Sequence, residues 1–122
     1  SNVKSISAGA DFTEVLHNVE ESRVNHFPVV DDDGNLVGVI HFGDLRGLIY
    51  DPVLSKLITA VDVADQSSEA ATADMGLEEV LALFQEGDYG SIPVVESDKS
   101  RRVIGIVEQR DVLRAVHISR NQ

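Results

Sequence analysis

Cysteine is missing from all 122 residues, and with it go disulfide bridges, thiolate metal sites and cysteine nucleophiles. Tryptophan is missing too, and only four Phe and two Tyr are present, so Val, Leu, Ile and Ala must build the core. Basic residues are scarce. Ten Lys and Arg stand against 21 Asp and Glu, a formal net charge of −11. That argues against nucleic acid or an anionic membrane surface as a partner, since both reward clustered cations. It also raises the cost of holding a polyanion. No apolar run approaches the roughly 18 residues of a spanning helix, and no signal-peptide pattern is present, so no membrane insertion is expected. A chain without cysteine fits a cytoplasmic setting. The opening Ser1-Asn2-Val3 reads as a cut from a longer chain, with Ser1 and Asn2 a cloning remnant. G-x-S-x-G, Walker and dinucleotide-binding glycine patterns are absent, no nucleophile–base set is suggested by spacing, and no enzymatic activity is expected. His17, His26, His41 and His117 have no spacing that sets two of them on one helix face, so no metal site is expected.

What the chain does have is a block that occurs twice. Phe27-Pro28-Val29-Val30-Asp31 is followed by the turn Asp32-Asp33-Gly34-Asn35, by Leu36-Val37-Gly38-Val39-Ile40 and by Asp44-Leu45-Arg46. Ile92-Pro93-Val94-Val95-Glu96 leads in the same way to Val103-Ile104-Gly105-Ile106-Val107 and Asp111-Val112-Leu113. Pro93 follows Pro28 by 65 positions, whereas Gly105 follows Gly38 and Asp111 follows Asp44 by 67. The two extra residues fall in the turn Ser97 to Arg102, where an insertion costs least.

Read in order, Val3 to Ile6 is a short strand. Asp11, followed three residues on by Glu14, predicts a capped helix over 12–23 whose buried face is Phe12, Val15, Leu16 and Val19. Pro28 opens a strand over 28–31, a hairpin-like turn follows, and 36–40 is a second strand. Both strands are almost continuously apolar and are expected to be covered on both faces. Leu45, Leu48 and Ile49 begin a second helix that Asp51-Pro52 stops. Val53 to Ile58 can form a further helical turn or two, and Gln66 to Glu69 is the candidate linker. Ala70 to Thr72 restarts the pattern, Leu77, Val80, Leu81 and Phe84 repeat the first helix face, and a last helix runs from about Asp111 to Ile118. The expected fold is α/β, strand–helix–strand–strand–helix twice over, with copies at 1–65 and 66–122 packed sheet to sheet about a pseudo-two-fold axis. One copy alone would bury too little surface to be comfortably stable.

The doubled apolar-Pro-Val-Val-acidic block, its turn, the apolar-Gly-apolar-apolar run and the following Asp resemble the CBS domain pair, the Bateman module, over essentially the whole chain. The stretch from Asp44 to Leu54 is similar to the same region in cytoplasmic tails of prokaryotic chloride channels and transporters. The resemblance implies a cytosolic regulatory module of a larger protein, homodimeric, with AMP, ADP or ATP as a regulatory ligand in clefts between the copies and no required cofactor. Its alternative is a pair that has lost its ligand and serves to dimerise the parent protein.

In that family a binding copy carries Gly-apolar-x-Thr/Ser-x-x-Asp at the end of the second strand. The hydroxyl caps the helix and bonds phosphate, and the Asp holds the ribose. Here Asp44 and Asp111 stand at the ribose positions, where they can equally be first-turn acids complementing the helix dipole. His41 and Glu108 replace the hydroxyls. His41 can still donate to phosphate, while Glu108 places a carboxylate there and can act as an internal anion on its own helix terminus. Asn25, His26 and Phe27, and Gly90, Ser91 and Ile92, precede the two prolines where relatives contact the base, partly through backbone. Phe27 and Ile92 read equally as core, and Tyr89 could stack on adenine or sit half-buried. Asp31 to Asn35 evokes the start of an EF-hand, but Phe42 stands where the closing Glu belongs, so a polar hairpin is expected.

Overall fold

The computed structural model describes residues 5–21, 26–48, 51, 53–87 and 90–121, with the side chains of Asp44, Leu54 and Ser55 outside that description. The first copy begins with β1 (Ile6–Ser7), α1 (Phe12–Glu20), β2 (His26–Val30), β3 (Leu36–His41) and α2 (Phe42–Leu45). Two short helices follow, α3 (Leu54–Leu57) and α4 (Ala60–Val63). The second copy is β4 (Ala71–Thr72), α5 (Leu77–Glu86), β5 (Ser91–Val95), β6 (Val103–Glu108) and α6 (Gln109–Arg120). The order strand–helix–strand–strand–helix therefore occurs twice, as the sequence predicts. Described residues up to Ser68 form one compact unit and those from Glu69 onward another.

Each unit holds a three-stranded sheet, ordered β1-β2-β3 in one and β4-β5-β6 in the other. The first pair of each is parallel and the second antiparallel. The register repeats in detail. Val29 lies opposite Gly38 and Val94 opposite Gly105, and a bulge follows at the next residue in both sheets. The prolines fall inside β2 and β5, two residues after the strands begin, so the first strand starts earlier than a proline-led boundary suggests. Pro28 sits opposite Val39 and Pro93 opposite Ile106.

Local chemistry explains the helix starts. Asp11 is the N-cap of α1, and its Oδ1 accepts the Glu14 amide at 2.9 Å, satisfying one of the amides the first turn leaves over. Phe12, Val15 and Val19 are buried, and Leu16 is half-buried at the margin of that face. In α5 the same face buries Val80, Leu81 and Phe84, but Leu77, expected to join them, is 43% exposed at the first position. The second helix of the first copy starts at Phe42 rather than at Leu45, and Leu45 is its last residue. The final helix is longer than the sequence reading at both ends. The Asp31 turn is the expected polar hairpin. Asp31 Oδ1 accepts the amides of Asp33 and Asn35, each at 2.9 Å, and Gly34 takes φ 84°, which a side chain would strain.

The first core gathers Ile6, Phe12, Val15, Phe27, Ile40 and Leu45, closed by Ala60 from α4. The amides of Ala60 and Val61 donate to the carbonyls of Ala10 and Ala8, pinning α4 to the turn before α1. The second core is built from Ala71, Val80, Phe84, Ile92, Val112 and Val116. Coverage of the strands is uneven. Gly38, Val39 and Ile40 are buried in β3, whereas β6 is half-buried along most of its length and Ile104 is 36% exposed.

Candidate functional site

A strand that ends where a helix begins brings amides with an unsatisfied positive end to one point. Both copies build that point with the same backbone. His41 ends β3 and is the residue before α2, with φ −102° and ψ 130°. Glu108 ends β6 and precedes α6, with φ −100° and ψ 141°. Antiparallel pairing sets a fixed neighbour across from each, His26 opposite His41 and Ser91 opposite Glu108. Asp44 and Asp111 each lie third in the helix that follows. Asp111 is exposed, and the Gln109 amide donates to the Gly90 carbonyl at 3.0 Å, which ties the start of α6 to the entry of β5.

The side chains differ. The rings of His26 and His41 meet edge to face, with centroids 4.7 Å apart and planes at 82°. His41 Nε2 lies 3.4 Å from Ser68 Oγ and 3.8 Å from Asp65 Oδ2. The hydroxyl and amide of Ser67, with smaller contributions from Ser68 and the His41 imidazole, hold the Asp65 carboxyl below its usual range against the opposing pull of burial. In the second copy Glu108 Oε2 meets Arg110 Nε at 2.8 Å. The Glu108 side chain makes no capping bond to its own helix. The expectation of a carboxylate seated on the helix terminus is thus corrected, because the guanidinium two residues on draws the carboxylate to itself. His41 likewise makes no side-chain cap.

The remaining candidates divide by burial. Phe27 and Ile92 are sealed in the two cores at 0% and 1% exposure, so only their backbone can face a ligand. Gly90 is exposed and Ser91 half-buried. Asn25 and Tyr89 lie outside the described residues. Sequence reasoning missed Asp65 and Ser68, which are distant in the chain and reach His41 only through tertiary packing. It also missed Arg110, whose signal was its place two residues beyond Glu108. A cleft of about 340 Å³ between the start of α5 and the end of α6, lined by Gly76, Leu77, Glu78, Glu79, Val116 and Ser119, contains none of the sequence candidates. Among the described residues no helix is long and apolar enough to cross a membrane.

The CBS domain model matches residues 1–51 and 60–118, one stretch for each copy. The chain belongs to the CBS domain family. This CBS pair is 26% identical over 115 residues, 94% of its length, to a homoserine O-acetyltransferase of Methanohalobium evestigatum, of which it spans 22%. It spans between 21% and 30% of the first three curated relatives it matches. Among solved structures it is similar to CBSX2 of Arabidopsis thaliana in complex with AMP, at 25% identity and a TM-score of 0.78, covering 98% of this chain and 90% of that one. It is also similar to the cytosolic domain of the Mg2+ channel MgtE in complex with ATP, at 26% identity and a TM-score of 0.76, covering 93% and 44%. A CBS pair is a regulatory module rather than a catalytic one, and the relatives it matches include an inosine-5'-monophosphate dehydrogenase of Methanocaldococcus jannaschii.

Proposed function

We propose that this CBS pair is the cytosolic regulatory part of a larger protein and that it responds to AMP, ADP or ATP. The observation that carries the reading is the duplicated strand-to-helix end, with closely similar backbone at His41 and Glu108 and an Asp third in each helix. Such an end offers amides and a positive dipole to an anion, and a carboxylate can accept both hydroxyls of a ribose. His41 is the phosphate-side residue of the first copy, Asp44 and Asp111 are the ribose-side residues, and the segments from Asn25 and from Tyr89 supply the base contacts. The AMP bound to CBSX2 and the ATP bound to the MgtE domain support this chemistry for a chain of the same fold. The module works as a homodimer attached to a channel or transporter, the similarity of Asp44 to Leu54 favouring a chloride channel. Regulation follows from unequal ligand affinity for two arrangements of the module.

One observation favours a second reading, an interaction module without a ligand. Glu108 puts a carboxylate at a phosphate position, and Arg110 is already engaged with it. Calorimetry with the three nucleotides separates the readings. The regulatory reading expects binding, strengthened roughly fivefold by Glu108→Thr through loss of a like charge. Absence of heat and of any thermal shift at millimolar nucleotide leaves the interaction module.

A further inference from the structure

The segment from Ala64 to Ser68 is the last part of the first unit and runs directly into the second at Glu69. It is fastened to β3 in three ways. Val39 and Asp65 exchange backbone hydrogen bonds, amide to carbonyl, at 3.0 and 2.8 Å. Gly38 leaves the notch that admits it, since a Cβ there would stand 3.0 Å from both Ala64 Cβ and the Asp65 carbonyl oxygen. Finally, His41 reaches Asp65 Oδ2 and Ser68 Oγ with one ring nitrogen. The Asp65 carboxylate is divided between two tasks. Its Oδ1 accepts the Ser67 amide and hydroxyl at 3.0 and 2.7 Å, which leaves Oδ2 turned to the imidazole. The second copy meets the same backbone position with a local pair, Glu108 and Arg110, two residues apart.

We propose that Asp65 is a resident anion of the first copy's site, and that an anionic ligand group must displace it from His41, loosening the Ala64–Ser68 segment from the sheet edge. The inference rests on His41 being the phosphate-side residue and adds what the phosphate competes with and what the competition moves. His41 is 20% exposed and Asp65 36%, so solvent screens two anions at one imidazole edge only in part. The side-chain fastening goes when the ligand arrives, and the backbone pair at Val39 and the fit at Gly38 are left to hold the segment. By reciprocity, whatever loosens the segment favours the ligand.

Asp65→Asn tests this cleanly, because an Asn Oδ1 still accepts the Ser67 amide while the charge facing His41 is removed. Calorimetry with AMP is expected to show roughly fivefold tighter binding to the variant than to the native chain, with no gain for adenosine, which lacks the phosphate. In the native chain, AMP is expected to speed hydrogen exchange at the amides of Ala64 to Ser68, above all the Asp65 amide, and His41→Gln should abolish that response. The native-chain exchange measurement does not depend on any variant folding. AMP binding with unchanged or weaker affinity in Asp65→Asn, an equal gain for adenosine, or slowed or unchanged exchange in the native chain each overturns the inference and leaves the nucleotide reading standing. AMP binding to neither chain removes the nucleotide reading and this inference together.

Discussion

The two copies share strand register and bulge, and they diverge after the second strand. In the first, α2 spans four residues and gives way to the exposed α3 and then to α4, which closes the core through Ala60 and leads into the Ala64–Ser68 segment paired to β3 at Val39. In the second, α6 runs on for twelve residues, and Arg120 grips Glu78 at the start of α5 through bonds of 2.7, 2.8 and 3.2 Å. The comparison teaches that one repeated sequence block can be held in two ways. One copy is locked by backbone fitted into a notch, and the other by a helix pair clasped at its far end. Gly38 and Gly105 occupy the same register position, yet only Gly38 has backbone against it.

The largest expected effect follows from that pair of glycines. In Gly38→Ala the new Cβ meets Ala64 and the Asp65 carbonyl, so the segment or the strand must shift, at a cost of about 2 kcal/mol. In Gly105→Ala the nearest atom is Val94 Cβ at 4.0 Å, and the change should stay within about 0.5 kcal/mol. Thermal melts of the two variants check this, with Gly38→Ala expected to lower Tm by several degrees and Gly105→Ala by little. Equal shifts would dissolve the distinction between the copies.

Much of this was legible in the residues. Offsets of 65 and 67, apolar periodicity and a capping Asp11 are local signals, and they led to the element order, the sheet pairs and most of the core. The helix boundaries were less legible, because a strand can extend before a proline and a helix can begin on Phe42-Gly43, where propensity is poor. Least legible was the environment of His41. Its contacts with Asp65 and Ser68 span 24 and 27 positions and depend on the notch at Gly38, which no pattern of spacing announces. Glu108 shows the converse. Its departure from the family pattern was plain in the sequence, but its partner Arg110 came from geometry.

A smaller effect tests why the helices differ in length. Gly43 and Gly47 occupy the positions that Arg110 and Arg114 take in α6. Glycine in a helix costs roughly 0.5–1 kcal/mol relative to alanine, so α2 is poorly supported by its own sequence. A Cβ at either position meets nothing within 4 Å, and neither glycine has positive φ. Gly43→Ala and Gly47→Ala should each raise stability by about 0.5–1 kcal/mol and increase helical circular dichroism, making the first copy more like the second. If Gly47→Ala destabilises instead, the break after Leu45 is imposed by α3 and α4 rather than permitted by glycine.

The smallest expected difference is one of pH. Asp31 and Asp65, both in the first copy, have carboxyls held below their ordinary range, Asp31 chiefly by the Asn35 amide and Asp65 chiefly by the Ser67 hydroxyl. A carboxyl whose pKa is lower folded than unfolded adds stability above the unfolded value, and that stability drains away as pH falls through the folded one. The window therefore opens near pH 4 and extends below it. Asp31 corresponds to Glu96 in the second copy, and Asp65 has no counterpart among the residues aligned by the repeat. Hydrogen exchange followed from about pH 5 down to about pH 3 should show the first copy losing protection ahead of the second. Combining Asp31→Asn with Asp65→Asn should flatten the first copy's pH response until it parallels the second. Parallel profiles in the native chain would instead show that these two carboxylates stabilise neither copy measurably, and that the acid response belongs to the cores alone.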